Sequence, residues 1–140
     1  LFRSLELLAE PERCMTVLVT LPETTPVNET IETAYALEDD VGIRLGPVVV
    51  NGVDQGTELP KVGEVETALQ AADLGDAVTD MLRDAAAFRR SRRSMERKAI
   101  DRLAVGLPLD QVQIRALPVA GLDADDIDAL ADELLVKSGS

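Results

Sequence analysis

The chain has 140 residues, enough for one domain of ordinary size, and 46% of them are hydrophobic, which places it with globular proteins rather than disordered tails. Phe2, Tyr35 and Phe88 are its only aromatic residues, so platforms that stack bases or sugars have almost nothing to build on; with no His and a single cysteine, Cys14, histidine-based triads, Cys/His zinc sites and internal disulfides are excluded. The net charge of −12 works against attraction to nucleic acid or anionic lipid, and no nucleic-acid partner is expected.

That charge is unevenly spread. Eight of the fourteen bases fall between positions 83 and 102 beside three acids, so this segment carries +5 while the remainder carries −17. No apolar run approaches the roughly 20 residues of a membrane span, and the first residues lack the basic start and apolar stretch of a signal peptide. A soluble, cytoplasmic protein is expected. Residues 1–12, with Leu5, Leu7 and Leu8, read as the end of a preceding helix and a linker, as though the 140 residues were one domain-sized fragment of a longer chain.

In chain order, residues 14–51 read as a βαβ unit. The runs 16–21 and 47–51 are apolar on successive residues, as when both faces of a parallel sheet are covered. Between them Thr25 is suited to cap a helix and Pro26 to its first position, with Val27, Ile31, Ala34 and Tyr35 at helical spacing. The crossover is expected to be right-handed. A turn-rich connection over 52–63 leads to a helical region over 62–105, broken near Asp73-Leu74-Gly75-Asp76. Its expected apolar stripe is Val78, Met81, Ala85, Phe88, Met95, Ala99 and Leu103, with Arg92 in the missing place. Residues 110–137 supply a third strand at 112–117 and a last helix capped by Asp123, whose Ile127, Leu130, Ala131, Leu134 and Leu135 are expected to face inward. The tail 137–140 reads as a frayed end. The fold class is therefore α/β, with parallel strands and helices on both faces.

Neither the phosphate-cradling P-loop pattern nor a dinucleotide-binding glycine fingerprint occurs; Gly52, Gly56 and Gly63 are too widely spaced and lack the following Lys-Ser/Thr. The acids at 38–40 and 123–128 read as solvated helix ends, and no metal site is expected from them. Polar residues do fall at the carboxyl ends of the predicted strands, where open α/β sheets bind ligands. Of these Asn51 is the residue best suited to read a base, because a side-chain amide donates and accepts at once. Periodicity alone favours the plainer reading, that Asn51 ends a strand by bonding its own backbone. Arg90, Arg93 and Arg97 share one helical face, which offers a second reading: a non-catalytic module that docks an acidic partner through the basic helix 83–102.

The run 16–23, Thr-Val-Leu-Val-Thr-Leu-Pro-Glu, the helix opening at Pro26-Val27-Asn28-Glu29-Thr30, and Gly46-Pro47-Val48-Val49-Val50-Asn51 together resemble the later part of the anion-transporting ATPases, the P-loop class that includes the arsenite-pump and tail-anchored-protein-targeting ATPases. The long helix, third strand, Leu117-Pro118-Val119-Ala120-Gly121 and closing helix follow in the same order. The resemblance covers about 14–135 and implies the carboxyl-terminal part of a three-layer, P-loop NTPase-like fold. It implies that Asn51 contacts the adenine of ATP and that Pro118 and Val119 line the adenine pocket. ATP with Mg²⁺ would be the cofactor of the intact ATPase, whose P-loop and metal ligands lie upstream, so no catalytic residue is assigned here. A homodimer or related ATPase subunit and a membrane-protein client are the partners it implies. The tail-anchored branch has a zinc-binding Cys-x-x-Cys soon after this Asn; here 52–83 holds no Cys, and Gly52 stands where many relatives have Arg.

Overall fold

The chain's computed structural model describes residue 10 and residues 14–138. Apart from Glu10, the expected helix end and linker over 1–12 lie outside the described residues. Three strands, β1 (Val19–Thr20), β2 (Val48–Val53) and β3 (Gln111–Arg115), form a parallel sheet in the order β1-β2-β3. Helix α1 (Thr24–Ala36) connects the first two strands; α2 (Val62–Ala72) and α3 (Asp76–Gly106) connect the second and third, and α4 (Ala124–Ser138) follows.

Helices cover both faces of the sheet, which explains why Val48, Val49 and Val50 are buried in succession. Val48, Val50 and Val53 pack with Val27 and Ala34 of α1 and Ala99 and Leu103 of α3. Val49 turns the other way, to Val112, Ile114 and Leu130 of α4. Complete burial of a side chain such as Val50 or Leu103 stabilises the fold by about 1.5–3 kcal/mol. The Tyr35 hydroxyl donates to the Gly106 carbonyl at 3.0 Å, tying α1 to the end of α3.

Several expectations are corrected. The strand expected over 16–21 forms a ladder only at Val19–Thr20, with an isolated parallel bridge between Thr16 and Leu45. The sheet pairs β1 with β2 on one side, and Val19 stays 63% exposed because α4 covers β3 rather than β1. Helix α1 starts earlier than Thr25. Extended Glu23 is its N-cap, Val27 N–H donates to the Glu23 carbonyl at 3.1 Å, and Pro26 falls within the first turn, where its missing donor costs no helical bond. The helix then widens into a π-turn over Leu37–Val41 and stops at left-handed Gly42.

The break before Asp76 is where the sequence puts it: Asp73 and Gly75 both have positive φ. The stripe on α3 is not. Met81, Phe88 and Met95 are exposed, and the buried residues are Glu96, Ala99 and Leu103, because the sheet meets only the carboxyl-terminal part of this 31-residue helix. On α4, Leu130 alone of the five expected residues packs on the sheet cluster; Ile127 and Leu135 are exposed. Asp123 does cap α4: its carboxylate accepts from Asp126 N–H at 2.9 Å, and Asp126 accepts from Asp123 N–H at 3.2 Å. Lys137 belongs to α4 rather than to a frayed tail, and its ammonium donates to the Gln113 carbonyl and to Glu133.

Candidate functional site

Strand β2 is central, so its carboxyl end is where the sheet presents its loops to a ligand. Asn51 does not end the strand. It pairs with Ile114, and the next pair is Val53 with Arg115, so Gly52 is an extra residue that bulges the ladder. Gly52 has φ +79°, a conformation that a side chain rarely adopts, and it sits at the step where β2 needs it. Asn51 is exposed, and no described hydrogen bond engages its side-chain amide. It lines a cavity of about 330 Å³ with Thr20, Leu21, Pro26 and Thr30, between the end of β1 and the start of α1.

Pro118 lies elsewhere. It lines a second cavity, of about 650 Å³, with Gly52, Phe88, Arg92 and Glu96. Val119 is exposed and lines neither cavity. The three residues assigned by resemblance thus share the carboxyl end of the sheet without lining one pocket; the consecutive residues Asn51 and Gly52 stand one in each cavity.

Sequence reasoning missed the polar network beside Pro118. Asp54 receives the Arg89 guanidinium in a two-pronged contact, Nε at 2.8 Å and Nη2 at 2.9 Å. Asp54 also accepts from Gly56 N–H at 3.0 Å in an Asx turn. The Arg89 guanidinium, followed by the Gly56 amide, holds the Asp54 carboxyl down from 3.8 to about 2. Glu96, 4% exposed, accepts from Asp54 N–H at 3.1 Å and from Arg92 Nε at 3.1 Å, so its buried carboxylate is doubly satisfied. The readable signals were Asp54-Gln55-Gly56, an Asx-turn pattern, and Glu96 four residues after Arg92 on the face that leads to Ala99 and Leu103.

The basic helix is largely turned to internal use. Arg83 Nε donates to Glu66 of α2 at 2.7 Å, its Nη1 contacts Asp80, and Glu66 is held below the usual carboxylate range by Arg83. Arg90 Nη2 donates to the Pro60 carbonyl at 2.9 Å and Arg93 Nη1 to the Thr57 carbonyl at 3.3 Å. The loop over 54–60 is therefore laced to α3 by its arginines. Among the described residues no group of three or more His, Cys, Asp or Glu side chains is disposed to hold a metal ion, and no helix is long and apolar enough to cross a membrane. Cys14 is half-buried and unpaired with another cysteine.

No known protein-family profile matches the chain, and a search of curated proteins returns no match.

Proposed function

We propose that this chain is the carboxyl-terminal portion of a nucleotide-hydrolysing protein of the anion-transporting ATPase type, contributing adenine recognition at the carboxyl end of its parallel sheet. The observation that carries the reading is the exposed, uncommitted amide of Asn51 beside the Gly52 bulge of the central strand, facing a cavity. A free amide can donate and accept along a purine edge in one plane. Pro118 supplies an apolar wall on the neighbouring cavity.

The residues fit the base of ATP and not its phosphates. No glycine-rich loop with Lys-Ser/Thr is present in the sequence, and the described acids form no cation-binding cluster. Phosphate and Mg²⁺ contacts belong, in this reading, to segments upstream, and the chain alone does not hydrolyse ATP. What its own residues do is hold and orient the base: Gly52 sets the direction of β2 past Asn51, and the Asp54–Arg89 pair fixes the loop that follows.

A docking module acting through the basic helix 83–102 is less well supported, because Arg83, Arg89 and Arg92 are already neutralised by carboxylates of the same chain. The deciding experiment titrates the ¹⁵N-labelled chain with AMP and with GMP, recording amide and side-chain NH₂ resonances. Selective movement of the Asn51 NH₂ pair and of residues 116–119 by AMP, lost in Asn51→Ala with the rest of the spectrum unchanged, is the expected result. Equal response to both nucleotides, or none at Asn51, defeats the adenine reading.

A further inference from the structure

Helix α3 carries its positive charge in two kinds of setting. Arg83, Arg89 and Arg92 each meet a carboxylate at ion-pair distance, whereas the described hydrogen bonds of Arg90 and Arg93 go to the neutral carbonyls of Pro60 and Thr57, with Asp54 near enough to feel the charge of Arg93. Arg97 and Lys61 have no described side-chain hydrogen bond at all. These four cations line one cavity of about 450 Å³, with Glu58 as the only acid among its lining residues. The cavity shares no lining residue with that of Asn51 or that of Pro118. In a chain of 26 acids and 14 bases, four bases converging on one acid is a local inversion of charge.

We propose that the cavity bounded by Lys61, Arg90, Arg93 and Arg97 is a binding site for a small phosphate monoester with an apolar body. Each guanidinium has five N–H donors, and a single loop carbonyl engages only one of them on Arg90 and on Arg93. That one bond orients the fork and leaves the rest for a ligand, so ordering of these side chains is done before the ligand arrives. The forks suit phosphate oxygens in paired contacts, and Lys61 adds a compact charge. Lys61 is also the N-cap of α2, where the helix dipole adds to the field even though Glu64 already takes the Lys61 N–H. Leu59, Pro60 and Val62 supply apolar wall, and the volume falls in the range of small-molecule sites. The site does not rest on the adenine reading.

The loop that forms one wall is itself anchored away from the cavity. Asp54 grips Arg89, and a Cβ at Gly56 would lie 2.6 Å from Arg89 Nη2, so the turn is pressed against the helix. Arg97 and Lys61 can therefore be altered without cutting the bonds that hold the loop.

The test is a titration of the ¹⁵N-labelled 140-residue chain with phenyl phosphate at constant ionic strength, with benzoate and chloride as controls. Saturable shifts confined to residues 58–62 and to the arginine Nε resonances of 90, 93 and 97 are expected. Arg97→Ala should weaken binding about tenfold, one charge-assisted hydrogen bond, and Arg97→Lys by less. Lys61→Ala should act in the same direction, and both variants should keep the parent melting temperature. Inorganic phosphate should bind more weakly than phenyl phosphate, since it leaves the apolar wall uncovered. The proposal is overturned if shifts do not saturate, if benzoate or chloride reproduces them, if Arg97→Ala and Lys61→Ala bind as the parent does, or if a poly-glutamate peptide competes at lower concentration than phenyl phosphate.

Discussion

Arg89 and Asp54 are 35 residues apart in sequence and meet through two hydrogen bonds of 2.8 and 2.9 Å, which makes them the clasp between the loop leaving β2 and the middle of α3. The pair is partly sheltered, with Asp54 the more enclosed partner. Both residues line the cavity that Gly52 and Pro118 also line, and the loop that follows Asp54 carries the carbonyls that accept from Arg90 and Arg93.

Replacing Asp54 with Ala removes both guanidinium bonds and the Asx turn to Gly56, and should cost about 1–2 kcal/mol of folding stability. The pH dependence has a definite sign. The folded carboxyl titrates at about 2 and an ordinary one at 3.8, so the contribution is fully present above pH ~4 and is lost as pH falls from about 4 towards 2. Urea denaturation across that interval should show a slope in the parent that is flattened in Asp54→Asn.

Gly56→Ala should act through the same clasp. The added Cβ would lie 2.6 Å from Arg89 Nη2 and 3.1 Å from Asp54 Oδ1, so the flexible end of Arg89 must shift against its partner. Two changes that break one interaction do not add. The double variant Asp54→Ala/Gly56→Ala should be no less stable than the worse single variant by more than about 0.5 kcal/mol; full additivity in denaturation midpoints would show the clasp to be two separate contacts.

How much of this could be read from the residues depends on whether burial or pairing decides. The unbroken run Val48-Val49-Val50 reads directly as a strand covered on both sides, and Asp73-Leu74-Gly75 reads as a break, because each depends on local chemistry. The short ladder of β1 depends on which neighbours flank it, which Thr16 to Leu21 do not encode. Phe88 and Met95 look like core by spacing, yet the sheet does not reach the face they occupy. Asn51 was visible as an amide at a strand's end; the bulge beyond it was not, since a lone Gly serves turns and bulges alike.

Leu103→Ala should be the most damaging single truncation on α3. The side chain is fully buried between α1 and β2, so deletion leaves a cavity and should cost about 2–5 kcal/mol. Met95→Ala, on the exposed face of the same helix, should change stability by less than about 0.5 kcal/mol. Paired denaturation curves for the two variants check the assigned face of the helix.

Glu96→Leu should destabilise by about 1–3 kcal/mol although it replaces a buried charge with a hydrocarbon, because Asp54 N–H is then left without its acceptor. Glu96→Gln keeps an acceptor and should recover most of the loss. Amide exchange at Asp54, fast in the first variant and protected in the second, would separate this cause from simple repacking.

Gly52 also keeps count for β2. Up to Asn51 the strand alternates strictly, odd positions to one side and even to the other; one surplus residue resets that parity, so Val53 rejoins Val48 and Val50 in the larger core. Removing Gly52 would therefore leave Val53 directly after Asn51, still on the side of Val48 and Val50, whereas one further residue inserted beside Gly52 would transpose Val53 to the side of Val49. An insertion here should unfold what the substitution Gly52→Ala, which strains one backbone step, merely weakens.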